Sequence, residues 1–152
     1  MASRLSAGEE VLLEDLTSWT DFVSQYADSY HHAKEEDQLF PWMVERGFSY
    51  EQGPIHCMLA EHKINRQMNG RIKGLIGGLP GTAGEISQAI MEFTAHLFQH
   101  AQKEDQILYP MARRLGNGDA ELLPAYQAAA PEGEAIEARF RALVQVLEER
   151  FA

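Results

Sequence analysis

Four clusters of glycine and proline cut this chain into segments, and between them apolar residues recur every three or four positions. The clusters are Gly47 to Gly53 with Pro54; Gly74, Gly77, Gly78, Pro80 and Gly81; Gly116-Asn117-Gly118; and Pro131 with Gly133. No stretch alternates at period two with β-branched enrichment, so the spacing predicts an all-α fold. The first helix is expected over about residues 9–45, with Leu12, Leu16, Trp19, Val23, Tyr26 and Tyr30 on one face. A second is expected over 54–76, opened by Pro54 at a favoured first-turn position, and a third over 83–115 with Ile86, Ile90, Phe93, Leu97, Ile107 and Met111 in register. A short helix over 120–129 and a last one over 132–151, striped by Ile136, Phe140, Leu143, Val144 and Leu147, complete the expectation. Pro41 and Pro110 fall inside the first and third helices and are expected to kink or locally distort them. Long amphipathic helices with short connections pack as antiparallel neighbours in an up-and-down bundle.

The 152 residues are read as one domain, in which 9–115 carries the distinctive motifs and 120–151 adds C-terminal helices. A net charge of −10 argues against binding to nucleic acid or an anionic membrane surface, both of which call for basic residues. No apolar run approaches the roughly 20 residues of a membrane span, and residues 1–10 contain no apolar core of a signal peptide. Cys57 is the only cysteine, which excludes an intrachain disulfide; it is expected to pack as a small hydrophobe beside Ile55, Met58 and Leu59. A cytoplasmic location is expected.

The six histidines, at 31, 32, 56, 62, 96 and 100, fall in three groups, one per long helix. Two groups share a pattern. From His31 and from His100 alike, Lys follows at +3, Glu at +4, an aromatic at +9 and Pro at +10. Residues four apart lie on one helix face, so each copy presents an imidazole and a carboxylate together. Counting back from the prolines aligns His31 with His100 and Glu35 with Glu104, and leaves His32 and Glu36 behind these ligands or on the surface. On the third helix His100 and Glu104 are in register with the apolar stripe, which buries a carboxylate; buried charges are normally paired or bound to a metal. His62 shares a face with Ile55, Met58 and Leu59, while Glu61 points elsewhere. The candidate ligands are therefore His31, Glu35, His62, His100 and Glu104. Mixed imidazole and carboxylate donors suit iron, manganese or zinc, and bridging glutamates favour a two-metal site. His96, near the stripe's edge, is open to three roles: support behind a ligand, surface, or an extra ligand. His56 is read as structural, and Phe40 and Tyr109 as core packing.

The segments His-His-Ala-Lys-Glu-Glu-Asp-Gln-Leu-Phe-Pro, Gly-Pro-Ile-His-Cys-Met-Leu-Ala-Glu-His and His-Ala-Gln-Lys-Glu-Asp-Gln-Ile-Leu-Tyr-Pro together resemble the hemerythrin-like, or HHE cation-binding, family over roughly residues 9–115. The resemblance implies a four-helix bundle around an oxo- or hydroxo-bridged di-iron centre. Carried over, it implies that Glu35 and Glu104 bridge while His31, His62 and His100 are terminal ligands. One departure stands out: the family's leading helix brings its own histidine, and no histidine precedes His31 here. Water, His96 or His56, or another chain would then complete the site; a single metal, or a start internal to the native chain, are the other readings.

The function this implies is reversible binding or sensing of dioxygen, nitric oxide or a related small oxidant. An enzyme that consumes peroxide or nitric oxide, or donates iron for cluster repair, is the rival, and a non-catalytic bundle with one metal or a vestigial site is the third reading. A homodimer is expected, because three ligand-bearing helices leave an apolar face to cover. The alternative cover is the last helix, which offers carboxylates such as Glu134 and Glu137 but no histidine.

Overall fold

The structure is a computed structural model and describes residues 1–151, apart from the side chain of Asp119. Six helical elements follow one another, with no strand among the described residues. A short α1 (Ala2–Ser6) precedes the first long rod, α2 (13–44), which is helical throughout. α3 (Gly53–Ile76) and α4 (83–113) are the other long rods, and α5 (Gly118–Ala129) and α6 (Gly133–Phe151) follow. The breaks fall where the glycine and proline clusters lie. Gly47, at φ +101, ends α2 with a left-handed residue after which the Phe48 N–H reaches back to the Met43 carbonyl. The one element without a sequence signal is α1, because a five-residue helix with Leu5 as its only buried residue shows no periodicity.

Two of the three long rods, α2 and α4, are not α-helical throughout. Within α2, Val23–His32 and Glu35–Leu39 are wound as π-helix; within α4, Glu104–Leu108 is. The expected distortion at the two prolines takes this form. The Phe40 N–H bonds to the Glu35 carbonyl, and the Tyr109 N–H to the Glu104 carbonyl, each five residues back and each one residue before a proline. A proline has no N–H and crowds the carbonyl four residues earlier; a widened turn relieves both problems. The duplicated sequence thus folds into a duplicated local structure, and both copies begin at a candidate ligand glutamate.

The antiparallel rods α2, α3 and α4 enclose two apolar clusters towards opposite ends of the bundle. One joins Leu39, Phe40, Met43, Ile55, Met58 and Leu108; the other joins Leu16, Val23, Ile72, Ile86, Ile90 and Phe93, with Leu5 of α1 laid against it. The residues between them, 31–36, 61–69 and 96–104, supply a buried polar layer. The last helix lies along the first half of α2: Phe140 is buried against Phe22 and Tyr26, the Tyr30 hydroxyl donates to Glu137 at 2.9 Å, and Arg150 pairs with Asp15. It covers the outside of the π-wound segment that leads into His31 and His32. No helix among the described residues is long and apolar enough to cross a membrane.

Candidate metal centre

The polar layer converges on one buried cluster. His62, His100, His32, Glu35 and Glu104 are at most 5% exposed, although three are imidazoles and two are carboxylates. His31 reaches the same place from a more open position, its side chain 41% exposed. His32, His62, His100 and Glu104 bring one ligand atom each to within 4.8 Å of one another, and His31, Glu35 and Glu104 do the same. Glu104 belongs to both groups.

Each inner histidine lies between two carboxylates. The His62 Nδ1 meets Glu36 Oε1 at 2.6 Å while its Nε2 faces Glu35 Oε2 at 3.3 Å. The His100 Nδ1 meets Glu61 Oε2 at 3.0 Å while its Nε2 faces Glu104 Oε1 at 2.8 Å. A carboxylate on Nδ1 keeps the proton there, so the Nε2 lone pair points inward; this is how outer carboxylates orient metal-binding histidines. A cation backs each outer carboxylate: Arg66 bonds Glu36 at 2.7 Å, and Lys103 bonds Glu61. The two chains, Arg66–Glu36–His62 and Lys103–Glu61–His100, are equivalent in design though they come from different helices.

The inward atoms are the ones left over. Glu35 Oε2, His62 Nε2, His100 Nε2 and Glu104 Oε1 are buried and have no hydrogen-bond partner, despite the short approach of the last two. Buried polar groups in proteins are almost always satisfied, and each that is not costs about 1–3 kcal/mol. Here the four orphans belong to the two donor groups that share Glu104, and cations held there would satisfy them. The electrostatics agree. Burial, with His62, His31 and His100 adding to it, pushes the His32 pKa down to about 2, so its ring stays neutral and keeps a lone pair. Burial alone would also lower His100 and His31, but Glu104 and the other carboxylates outweigh it and both are raised. Burial would raise Glu104, yet His100 and His31 hold it far below the usual carboxylate range.

The structure therefore brings together all five candidate ligands, the four aligned by the repeat and His62, and adds His32, whose ring stacks on His62 with centroids 3.9 Å apart. Two adjacent histidines reach one cluster where the helix is π-wound, a winding the assumed α-period did not contain. His96 and His56 stand outside both donor groups. The His96 Nδ1 is 2.9 Å from Asn65 Oδ1, and exposed His56 bonds the Tyr50 carbonyl at 3.1 Å. Three residues have more to do than their patterns indicated. Tyr109 is not simple core packing: its hydroxyl donates to Glu35 Oε1 at 2.7 Å, and burial, with Glu35 and Glu104 near, pushes its pKa up so the phenol keeps its proton. Glu61 lies about 100° round the helix from His62, which turns it towards His100 on α4. Cys57 is only half buried, and its thiol donates to Glu61 Oε1 at 3.6 Å.

The comparisons with known proteins agree with this chemistry. The model of the hemerythrin HHE cation binding domain matches residues 1–112. The iron-sulfur cluster repair protein YtfE of Yersinia pestis (strain Pestoides F) is 33% identical over 121 residues, covering 75% of this chain and 47% of the relative. The protein of the same name from Yersinia pseudotuberculosis serotype O:1b (strain IP 31758) matches with the same identity and coverage. The chain thus spans about half the length of the curated relatives it matches. No solved structure gives a significant match. On the family match over residues 1–112, the chain belongs to the hemerythrin HHE cation-binding domain family.

Proposed function

We propose that the chain binds iron as a pair of ions, with His31, Glu35, His62, His100 and Glu104 as ligands and His32 as a sixth donor, and that it binds or senses dioxygen, nitric oxide or a related small oxidant there. The observation that carries the reading is Glu104, one carboxylate common to two separate donor groups. A bridging carboxylate is what a two-metal site in a helical bundle needs. Iron held by such donors supplies reversible one-electron chemistry and a position for a small ligand. The protein's part is to orient and to exclude. Glu36 and Glu61 fix the two inner imidazoles, Tyr109 holds Glu35, and Phe40 and Leu108, both fully buried, close the layer on one side.

A second reading is favoured by a specific observation, since the matched relatives are named for iron-sulfur cluster repair. On that reading the chain consumes peroxide or nitric oxide, or gives up iron. Anaerobic reconstitution with ferrous ion, followed by exposure to dioxygen, nitric oxide and peroxide in turn, separates the two. Reversible spectral change with no loss of iron supports sensing; turnover or iron release supports the second. Zinc or manganese in the natively purified protein would displace iron from the proposal.

The homodimer belongs to the same proposal. Met91 and Phe98, 48% and 64% exposed, stand about two turns apart on the outer face of α4 and offer a second copy an apolar strip. Light scattering of the metal-loaded protein tests it: a stable 17.1 kDa species would exclude the dimer.

A further inference from the structure

Beside His32, where α2, α3 and α4 meet, the bundle holds a partly open cavity of about 130 Å³, lined by Ser24, His32, Asn65, Asn69, Phe93 and Leu97 among others. Asn65 and Asn69 are 2% and 5% exposed, and each uses one half of its amide. Asn65 Oδ1 is engaged by His96, and Asn69 Nδ2 donates to the Thr20 carbonyl and to Ser24 Oγ at 3.1 and 2.9 Å. The other halves, Asn65 Nδ2 and Asn69 Oδ1, have no partner, and neither does His32 Nδ1, whose nearest carboxylate, Asp28, is 3.5 Å away. Spaced four apart, the two asparagines share a helix face and set one free donor and one free acceptor on one wall. Phe93 and Leu97 make an apolar wall.

We propose that this cavity is a binding chamber for small neutral molecules that both donate and accept hydrogen bonds, of the size of hydrogen peroxide or water, and that it passes them to the His32 side of the donor cluster. A dioxygen molecule would leave the free amide groups unsatisfied. An anion is disfavoured, because the basic groups that line the cavity are paired, Arg66 with Asp28 at 2.6 Å and Lys73 with Asp21 at 3.1 Å. The volume exceeds the roughly 30 Å³ share of one water, so two or more such molecules fit. The passage to His32 rests on the metal reading above; the binding does not.

Gly70 also lines the cavity, and a Cβ built on it meets no atom within 4 Å, so a larger side chain has room there. The test has two arms. In a high-resolution crystal structure of the parent chain, soaked with hydrogen peroxide, ordered density is expected within hydrogen-bond distance of both Asn65 Nδ2 and Asn69 Oδ1. In stopped flow, ferrous-loaded Gly70→Leu is expected to keep its iron but to react with hydrogen peroxide at least tenfold more slowly. In that reaction two ferrous ions become ferric while one peroxide takes two electrons and two protons to give two waters. Nitric oxide is expected to bind the variant within twofold of the parent rate. A dry cavity overturns the proposal outright. An unchanged peroxide rate overturns the passage, and equal slowing of both probes overturns the polar selectivity. If the chain holds no metal, the metal reading fails and the crystallographic arm still decides the chamber.

Discussion

The Tyr109 hydroxyl donates a hydrogen bond to Glu35 Oε1 across 2.7 Å, tying the α4 copy of the duplicated motif to the candidate ligand glutamate of the α2 copy. The contact joins two helices at the cluster and fixes which Glu35 oxygen remains free to face inward. Tyr109→Phe removes the donor and leaves a buried carboxylate oxygen unpaired. A hydrogen bond to a charged group contributes about 1.5–3 kcal/mol, so metal affinity should fall roughly 10- to 100-fold with stoichiometry unchanged. Competition against a calibrated chelator measures it; unaltered affinity would mean the phenol is only packing.

Glu104 and Glu36 should respond differently to the same substitution. Glu104→Ala takes away the carboxylate common to both donor groups, and metal should be lost altogether. Glu36→Ala frees the His62 ring but removes no inward atom, so metal should still bind, 10- to 100-fold more weakly. Elemental analysis of both variants after the same dialysis compares them. Equal and complete loss from both would place Glu36 among the ligands.

Glu61→Gln makes the same argument for α4. It keeps the shape but removes the charge that holds the His100 proton on Nδ1 and that pairs with Lys103. Weaker metal binding is expected, by a factor similar to that for Glu36. A stronger site in this variant would contradict the orienting role.

Gly133→Ala tests how the last helix is seated. A Cβ at Gly133 would stand 2.6 Å from the Tyr30 hydroxyl oxygen, so either α6 or Tyr30 must shift and the Tyr30–Glu137 bond is strained. Overpacking of this kind costs about 1–3 kcal/mol. At roughly 2–4 °C per kcal/mol for a chain of this size, the melting temperature should fall by several degrees. An unchanged melting temperature would show that the contact yields freely.

Much of this architecture is legible in the sequence, and the reasons are local. Glycine and proline mark the helix ends because they act on their own residue's backbone, which is why Gly47 and Pro54 bracket the first turn as expected. The His-x-x-x-Glu copies declare themselves because their prolines number them. What could not be read arises from winding and from partners on other helices. An α-period places His31 or His32 inward, whereas the π-wound segment brings both to the cluster. Tyr109 and Glu61 look like packing and surface until α2 and α4 are set beside them, since the residues they serve lie 74 and 39 positions away.

The most direct test of the account is the amount of iron bound per chain after anaerobic reconstitution with ferrous ion and removal of excess. The donor groups His32–His62–His100–Glu104 and His31–Glu35–Glu104 predict close to two irons per chain, with near-ultraviolet absorption appearing on oxidation. One firmly held iron per chain would contradict the paired site, and none would contradict the metal centre itself.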